Sequence, residues 1–188
     1  MAIETSSKIS LISKALILIG ETPLDSLSDN RYGAQVGSNL FEILYENELQ
    51  SNRWRFCMRK NSLSRLVDTP LNEWAYAYQL PSDMLLPIGV YPRAPYEIYA
   101  DHLYTDETSV EMDYMFKPAV SEIPAYFAAL LVYSLARDMV KPITESDNAV
   151  QIFEAKYRRQ RGIALFADAQ GRPSQMIFDS PFTDARGT

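Results

Sequence analysis

Apolar residues recur with helical spacing at both ends of the chain and alternate with polar residues in the middle. The most apolar stretch runs from Ile123 to Val140 and is hydrophobic on nearly every face. Such a helix belongs in the middle of a core or in a membrane. This run is shorter than the about 20 apolar residues of a span, and Arg137 and Asp138 interrupt it. We therefore predict a central helix of a soluble domain, with Pro124 in its first turn and Pro142 ending it.

Two amphipathic helices are predicted before the central one. Apolar residues from Ile9 to Ile19 mark the first helix, and Gly20 follows where a helix commonly ends. The second is predicted over about 31–52, and its polar face carries Glu42, Glu46, Asn47, Glu48 and Gln50. Gly33 and Gly37 lie inside it, and either they allow another helix to approach closely or the helix begins late.

The middle of the chain has the alternation that is typical of half-buried strands. Large apolar residues alternate with arginine or cysteine from Trp54 to Arg59, and with alanine or glutamine from Trp74 to Leu80. Further short strands are predicted at about 87–91, 96–100, 102–105 and 110–116. Prolines between them favour turns and sheet edges. These segments predict a small antiparallel β subdomain over residues 54–118, inserted between the second and third helices.

A fourth helix is predicted after a cap at Thr144 or Ser146. It carries a basic run made of Lys156, Arg158, Arg159 and Arg161. Arginine is enriched at protein interfaces. We therefore interpret Arg158, Arg159 and Arg161 as a subunit contact, with a solvated face as the alternative.

The last segment, residues 171–188, is rich in glycine, proline and polar residues, a composition that does not fold alone. Its apolar residues form two small groups, Met176, Ile177 and Phe178, and then Phe182. We predict an extended tail that docks with these anchors on the neighbouring subunit or another partner. The alternative is that it folds back on its own helices.

Composition narrows the possible chemistry. The net charge is −6, which argues against a basic nucleic-acid binder. Cys57 is the only cysteine and His102 the only histidine, so the sequence supports neither a disulfide nor a catalytic triad. It has no phosphate-binding glycine motif and no metal-ligand spacing, so no cofactor and no metal are predicted. The start lacks a signal-peptide pattern, from which we expect a protein made and kept in the cytosol.

Paired acids leave one enzymatic alternative, a carbohydrate hydrolase. The pairs are Asp25/Asp29, Asp106/Glu107, Glu111/Asp113 and Glu145/Asp147. They fall at turns and helix starts, where acids are common for capping and dipole reasons. We therefore predict that the protein is not an enzyme.

The order of several short patterns resembles the tail tubular protein A family, the head-to-tail adaptors of short-tailed bacteriophages. The patterns cover most of the chain, from about Lys8 to Ala169. They are Ile19-Gly20-Glu21-Thr22-Pro23-Leu24-Asp25-Ser26-Leu27 before an amphipathic helix, Ser51-Asn52-Arg53-Trp54-Arg55-Phe56, Tyr78-Gln79-Leu80-Pro81-Ser82-Asp83, Ile123-Pro124 opening the central helix, and a charged last helix.

The resemblance implies an α+β fold that is mainly α: a four-helix bundle of residues 1–53 and 119–170 with a small inserted antiparallel β subdomain. The extended C-terminal tail of residues 171–188 is predicted from composition alone, since it matches no pattern of the family. It also implies a dodecameric ring at the head-tail junction of the virion. That ring would lie between the portal protein and a tail nozzle resembling tubular protein B, and DNA would pass through its lumen without specific binding. We predict from its composition that the tail docks on another chain, the portal or the adjacent subunit. The hydrolase remains one alternative, and a different phage neck or tail-completion protein is another.

Overall fold

The structure is a computed structural model that describes residues 7–24, 26 and 30–171. In this part of the chain two α-helices are followed by seven strands and then by two more α-helices. The helices are α1 (Lys8–Ile19), α2 (Tyr32–Gln50), α3 (Ala125–Thr144) and α4 (Asp147–Gln170). The strands are β1 (Met58–Ser62), β2 (Ser64–Arg65), β3 (Tyr76–Gln79), β4 (Met84–Tyr91), β5 (Tyr96–Tyr99), β6 (His102–Thr105) and β7 (Glu111–Phe116).

The first two helices follow their sequence signals closely. The Ser7 hydroxyl accepts the N–H of Ser10 at 3.1 Å and caps α1, and Gly20 ends this helix at φ +92°. In α2, a Cβ on Gly37 would lie 2.6 Å from Cγ2 of Ile12 in α1 and 3.0 Å from Cε of Met139 in α3. Gly37 therefore permits a close approach of three helices, which decides between the two interpretations of the helix glycines.

Helix α3 is the central element, as predicted, because α1, α2 and α4 all pack against it. Leu130, Leu131 and Leu135 are fully buried in its middle. The prediction that Pro142 ends the helix is wrong, since α3 continues to Thr144 and ends at Glu145 with φ +55°. Proline is tolerated here because it lies in the exposed last turn, where its missing N–H removes a single helical hydrogen bond.

The strands form two antiparallel sheets, ordered β1-β7-β4 and β2-β3-β6-β5. Side chains point alternately to opposite faces along β7. Met112 and Tyr114 therefore pack into an apolar cluster made by residues of the two sheets, whereas Met115 packs into the core formed by the helices. Of the strand predicted from Trp54 to Arg59, only Met58 and Arg59 lie in a strand, β1, and Arg55–Cys57 form a 3-10 helix instead. Trp54 is buried and donates its indole N–H to the carbonyl of Glu48 at 2.7 Å, which holds the chain in a turn at this point.

The predicted fold class, a mainly α four-helix bundle with a small β insertion, is wrong. The described residues form a mixed α/β structure with about 50% helix and 20% strand. Short strands and frequent prolines suggested a minor subdomain. Pairing nevertheless joins seven strands into two sheets, and these have a second apolar cluster of their own. The predicted tail at 172–188 lies outside the described residues, and the domain limits stay a prediction.

Candidate interaction surfaces

One side of α4 is fixed against the rest of the molecule. Phe153, Ala164 and Asp168 are buried on this side. The Asp168 carboxylate accepts the backbone N–H of Arg55 at 3.2 Å and the hydroxyl of Tyr126 at 2.7 Å. Burial, together with this hydrogen bond, raises the pKa of Tyr126 well above its usual value. Asp168 thus ties the end of α4 to the start of α3 and to the turn after α2.

The opposite side of α4 exposes large apolar side chains. Ile152, Ile163 and Phe166 have exposed fractions of 45%, 49% and 67%. With Arg159 they occupy positions i, i+7, i+11 and i+14, which lie on one stripe of a helix. We call these four residues the α4 stripe. A solvated helix face is normally polar, so a stripe of this kind indicates an interaction surface.

The three arginines predicted at a subunit contact have different surroundings. Arg158 forms an ion pair with Glu154 at 2.7 Å, and Arg161 donates to the carbonyl of Ser51 at 3.4 Å. Arg159 is exposed and has no hydrogen-bond or ion-pair partner among the described residues. The structure therefore separates them, and only Arg159 lies on the α4 stripe.

A buried carboxylate lies between α2, α3 and α4. Glu48 is 4% exposed, and its Oε1 accepts the hydroxyl of Ser134 at 2.8 Å. Burial and the nearby Glu48 charge raise the pKa of Tyr157, while Arg137 packs on the Tyr157 ring at 4.2 Å. Placing Glu48 on the polar face of the second helix was therefore wrong. The signal in the sequence was Ser134, the only serine in the mostly apolar stretch from Ile123 to Val140.

A cavity of about 560 Å³ opens beside the second sheet. Its lining consists of Leu66, Asp68, Thr69, Pro70, Leu71, Asn72, Glu73, Trp74, Ala77, Glu97, Tyr99, His102 and Tyr104. The Glu97 carboxylate is held by the indole N–H of Trp74 at 3.2 Å and the hydroxyl of Tyr99 at 2.8 Å. Sequence patterns did not point to this cavity, because its walls come from β3, β5, β6 and the irregular segment before β3.

The other residues considered for chemistry are dispersed. His102 lies on β6 with Nδ1 2.9 Å from Oδ1 of Asp101. Burial raises the pKa of the Cys57 thiol to about 12, and the Asp168 charge adds to the effect. A thiol in that state is a poor nucleophile at neutral pH.

In each acidic pair that the structure describes, one of the two acids has a local partner. Asp106 accepts the backbone N–H of Ala75 at 2.9 Å, and Asp113 pairs with Lys60 at 3.3 Å. Asp147 pairs with Lys141 beside the start of α4. The predicted residues that lie outside the described part of the chain are Asp25, Asp29, Met176, Ile177, Phe178 and Phe182.

No protein-family model matches the chain, and no curated protein matches it. Within the described ranges, His, Cys, Asp and Glu side chains form no group of three that could hold a metal ion. No helix in the same ranges combines the length and hydropathy needed to cross a bilayer.

Proposed function

We propose that the protein is a structural head-to-tail adaptor of a bacteriophage. Copies of it form a ring, a dodecamer, in the virion between the portal protein and the tail nozzle. DNA passes through the lumen of this ring while it is retained in the head and when it is ejected. The protein is made in the host cytoplasm and acts as an assembly component rather than as an enzyme.

The observation that carries this proposal is the α4 stripe. Ile163 and Phe166 expose about half or more of their surface next to Arg159, which has no partner within the described chain. Aromatic residues and arginine carry much of the binding energy at protein interfaces. The buried Asp168 and Phe153 hold the helix from behind, so little conformational freedom is lost when the stripe binds a partner.

A ring also needs the stripe to meet a different surface on the next copy. Contacts of this head-to-tail kind generate closed rings when the rotation between copies closes. The stripe combines apolar area with positive charge, whereas the whole chain carries a net charge of −6. A basic, partly apolar face on an acidic protein suits contact with an acidic face of a second copy.

The charge balance also suits passage of DNA. Duplex DNA binds strongly where many lysines and arginines neutralise its phosphates. An acidic ring would repel the phosphates and let the duplex slide. Purified protein should therefore bind duplex DNA weakly at physiological salt, and tight binding with a steep salt dependence would contradict a sliding lumen.

The role proposed for the C-terminal segment, residues 172–188, rests on its sequence. Met176, Ile177, Phe178 and Phe182 are proposed to dock on the portal or on the adjacent subunit. Removing residues 172–188 should leave the melting temperature of the monomer unchanged and block attachment or ring growth. A truncated protein that loses stability as a monomer would instead place these residues in its own core.

Light scattering after size-exclusion chromatography tests the ring. We expect the wild-type protein to assemble, and Phe166→Ala and Arg159→Ala to weaken assembly while the monomer keeps its melting temperature. Arg158→Ala is the matched control, because it removes the same charge from the neighbouring position off the stripe. A wild-type protein that stays monomeric at every concentration, or stripe variants that assemble like the control, would contradict the proposal.

A further inference from the structure

The cavity beside the second sheet carries an uncompensated negative charge. Its lining, which lies wholly in the described part of the chain, includes Asp68, Glu73 and Glu97. The lining contains no lysine and no arginine. His102 contributes to one wall, but its Nδ1 already faces Asp101 at 2.9 Å. The cavity is therefore suited to a positively charged group.

Aromatic rings surround the best-fixed carboxylate of the cavity. Trp74 and Tyr99 both donate to Oε2 of Glu97, and the ring of Tyr104 lies 5.9 Å from that of Tyr99. The hydrogen bond from Tyr99 to Glu97 raises the pKa of the Tyr99 hydroxyl, as expected beside an ionised carboxylate. These contacts hold the acceptor in place before any ligand binds.

Aromatic faces around a carboxylate favour a guanidinium group. Arginine stacks on aromatic rings and forms charge-assisted hydrogen bonds to carboxylates. A neutral saccharide would also stack on these rings but would leave the three carboxylates unbalanced. The charge of the cavity therefore favours an arginine over a neutral ligand.

One lining residue of the cavity, Leu71, is apolar and has an exposed fraction of 100%. It lies on the segment between β2 and β3. The cavity thus combines three accessible carboxylates with an apolar side chain at its edge. The α4 stripe offers the complement, a cation at Arg159 flanked by Ile163 and Phe166.

The two surfaces belong to different parts of the fold. The cavity is built from strand and loop residues between β2 and β6, and Arg159 lies on the exposed side of a helix that packs on α3. Within one chain Arg159 has no partner among the described residues. Two complementary surfaces of this kind, on different parts of a subunit, suit a head-to-tail contact.

We propose that this cavity receives the α4 stripe of a second copy of the chain, with the guanidinium of Arg159 against Glu97 and between the rings of Trp74 and Tyr99. Leu71 at the rim then packs against Ile163 or Phe166 of the second copy. The inference rests on the proposed ring, and it names the two faces that form the contact.

Charge exchange between Glu97 and Arg159 tests the contact. Glu97→Arg and Arg159→Glu should each raise the concentration needed for assembly by about tenfold or more, as expected for the loss of a desolvated charge pair. The controls are Glu111→Arg, an acid on β7 outside the cavity lining, and Arg158→Glu, off the stripe. Both controls should assemble at nearly the wild-type concentration.

Mixing the two single variants gives the sharpest result. In an alternating assembly, the arginine introduced at position 97 of one variant would face the glutamate introduced at position 159 of the other. At the next contact the native Glu97 would face the native Arg159. The equimolar mixture should therefore recover assembly that neither variant shows alone, and the double variant should recover it as well.

The outcomes separate this inference from the proposed function. Wild-type protein that forms rings whose stability is unaffected by Glu97→Arg and Arg159→Glu would overturn the contact and leave the ring standing. Arg159 is exposed and unpaired, so its variant retains the fold even if Glu97→Arg does not. Wild-type protein that never assembles would overturn the ring itself. Quenching of the tryptophan fluorescence by a neutral oligosaccharide that Trp74→Phe abolishes, with assembly unaffected by the saccharide, would identify a different occupant and also overturn the contact.

Discussion

Replacing Gly37 with alanine tests whether the helices of this protein meet as closely as the structure indicates. The new Cβ would lie 2.6 Å from Cγ2 of Ile12 and 3.0 Å from Cε of Met139. The flexible end of Met139 can move aside, but Ile12 is branched at Cβ and fully buried. Two opposing effects then decide the stability of the variant.

Alanine is better than glycine in a helix interior by about 1 kcal/mol. Overpacking a closely fitted core costs about 1–3 kcal/mol. A separation of 2.6 Å is well inside van der Waals contact, which places the cost in the upper part of that range. We therefore expect Gly37→Ala to lower the free energy of unfolding by about 1–2 kcal/mol.

Gly162→Ala is the matched control. Gly162 lies in α4, and no heavy atom lies within 4 Å of the position that a Cβ would take. Only the helix preference then acts, so the free energy of unfolding of the variant should rise by up to about 1 kcal/mol. Urea denaturation of both variants, at a concentration where the protein is monomeric, measures the two changes. Equal gains for Gly37→Ala and Gly162→Ala would refute the close approach of α1, α2 and α3.

Three further substitutions or reactions test the core. Asp168→Asn weakens the acceptor for Arg55 and Tyr126 and should cost about 1–3 kcal/mol in urea denaturation; an unchanged midpoint would contradict the anchoring of α4. Leu131→Asp buries an unpaired charge and should cost several kcal/mol; wild-type melting temperature and helicity would contradict the central place of α3. The buried thiol of Cys57, with its pKa raised to about 12, should react with a thiol reagent at pH 8 only after unfolding; rapid reaction of the folded protein would contradict its burial.

Local sequence signals predicted the helices well because they act within a few residues. Ser7 and Gly20 bound α1 through their own backbone and side-chain preferences. The apolar run from Ile123 indicated a central helix, and the burial of α3 among the other helices confirmed it. Pro142 was misread because a proline signal does not tell an interior turn from an exposed last turn.

The errors concern residues whose state depends on distant partners. Glu48 reads as polar surface in the helical pattern, yet Ser134, 86 positions later, donates to it in the core. The pattern after Trp54 reads as a strand, but hydrogen bonds from Trp54 to Glu48 and from Arg55 to Asp168 impose a 3-10 turn. Hydrogen bonding between strands that are distant in the sequence likewise formed two sheets, a larger β structure than the short predicted strands suggested.

The candidate surfaces were predictable to different degrees. The basic run on the last helix was visible in the sequence. Arg159 differs from Arg158 and Arg161 by its place on the α4 stripe and by its lack of a partner among the described residues, and both depend on the folded structure. The cavity assembles Trp74, Glu97 and Tyr104 from three separate segments. No spacing rule links such residues, since loop and hairpin geometry brings them together.

The most direct measurement is a low-resolution electron microscopy image of the assembled phage particle that carries this protein, with the protein located by a bound antibody fragment. The account predicts a ring of label at the head-tail junction, between the portal and the nozzle. Size and symmetry of that ring should match the assembly formed by the purified protein. Label on the capsid shell or on fibres, or a particle complete without the protein, would contradict the proposed function.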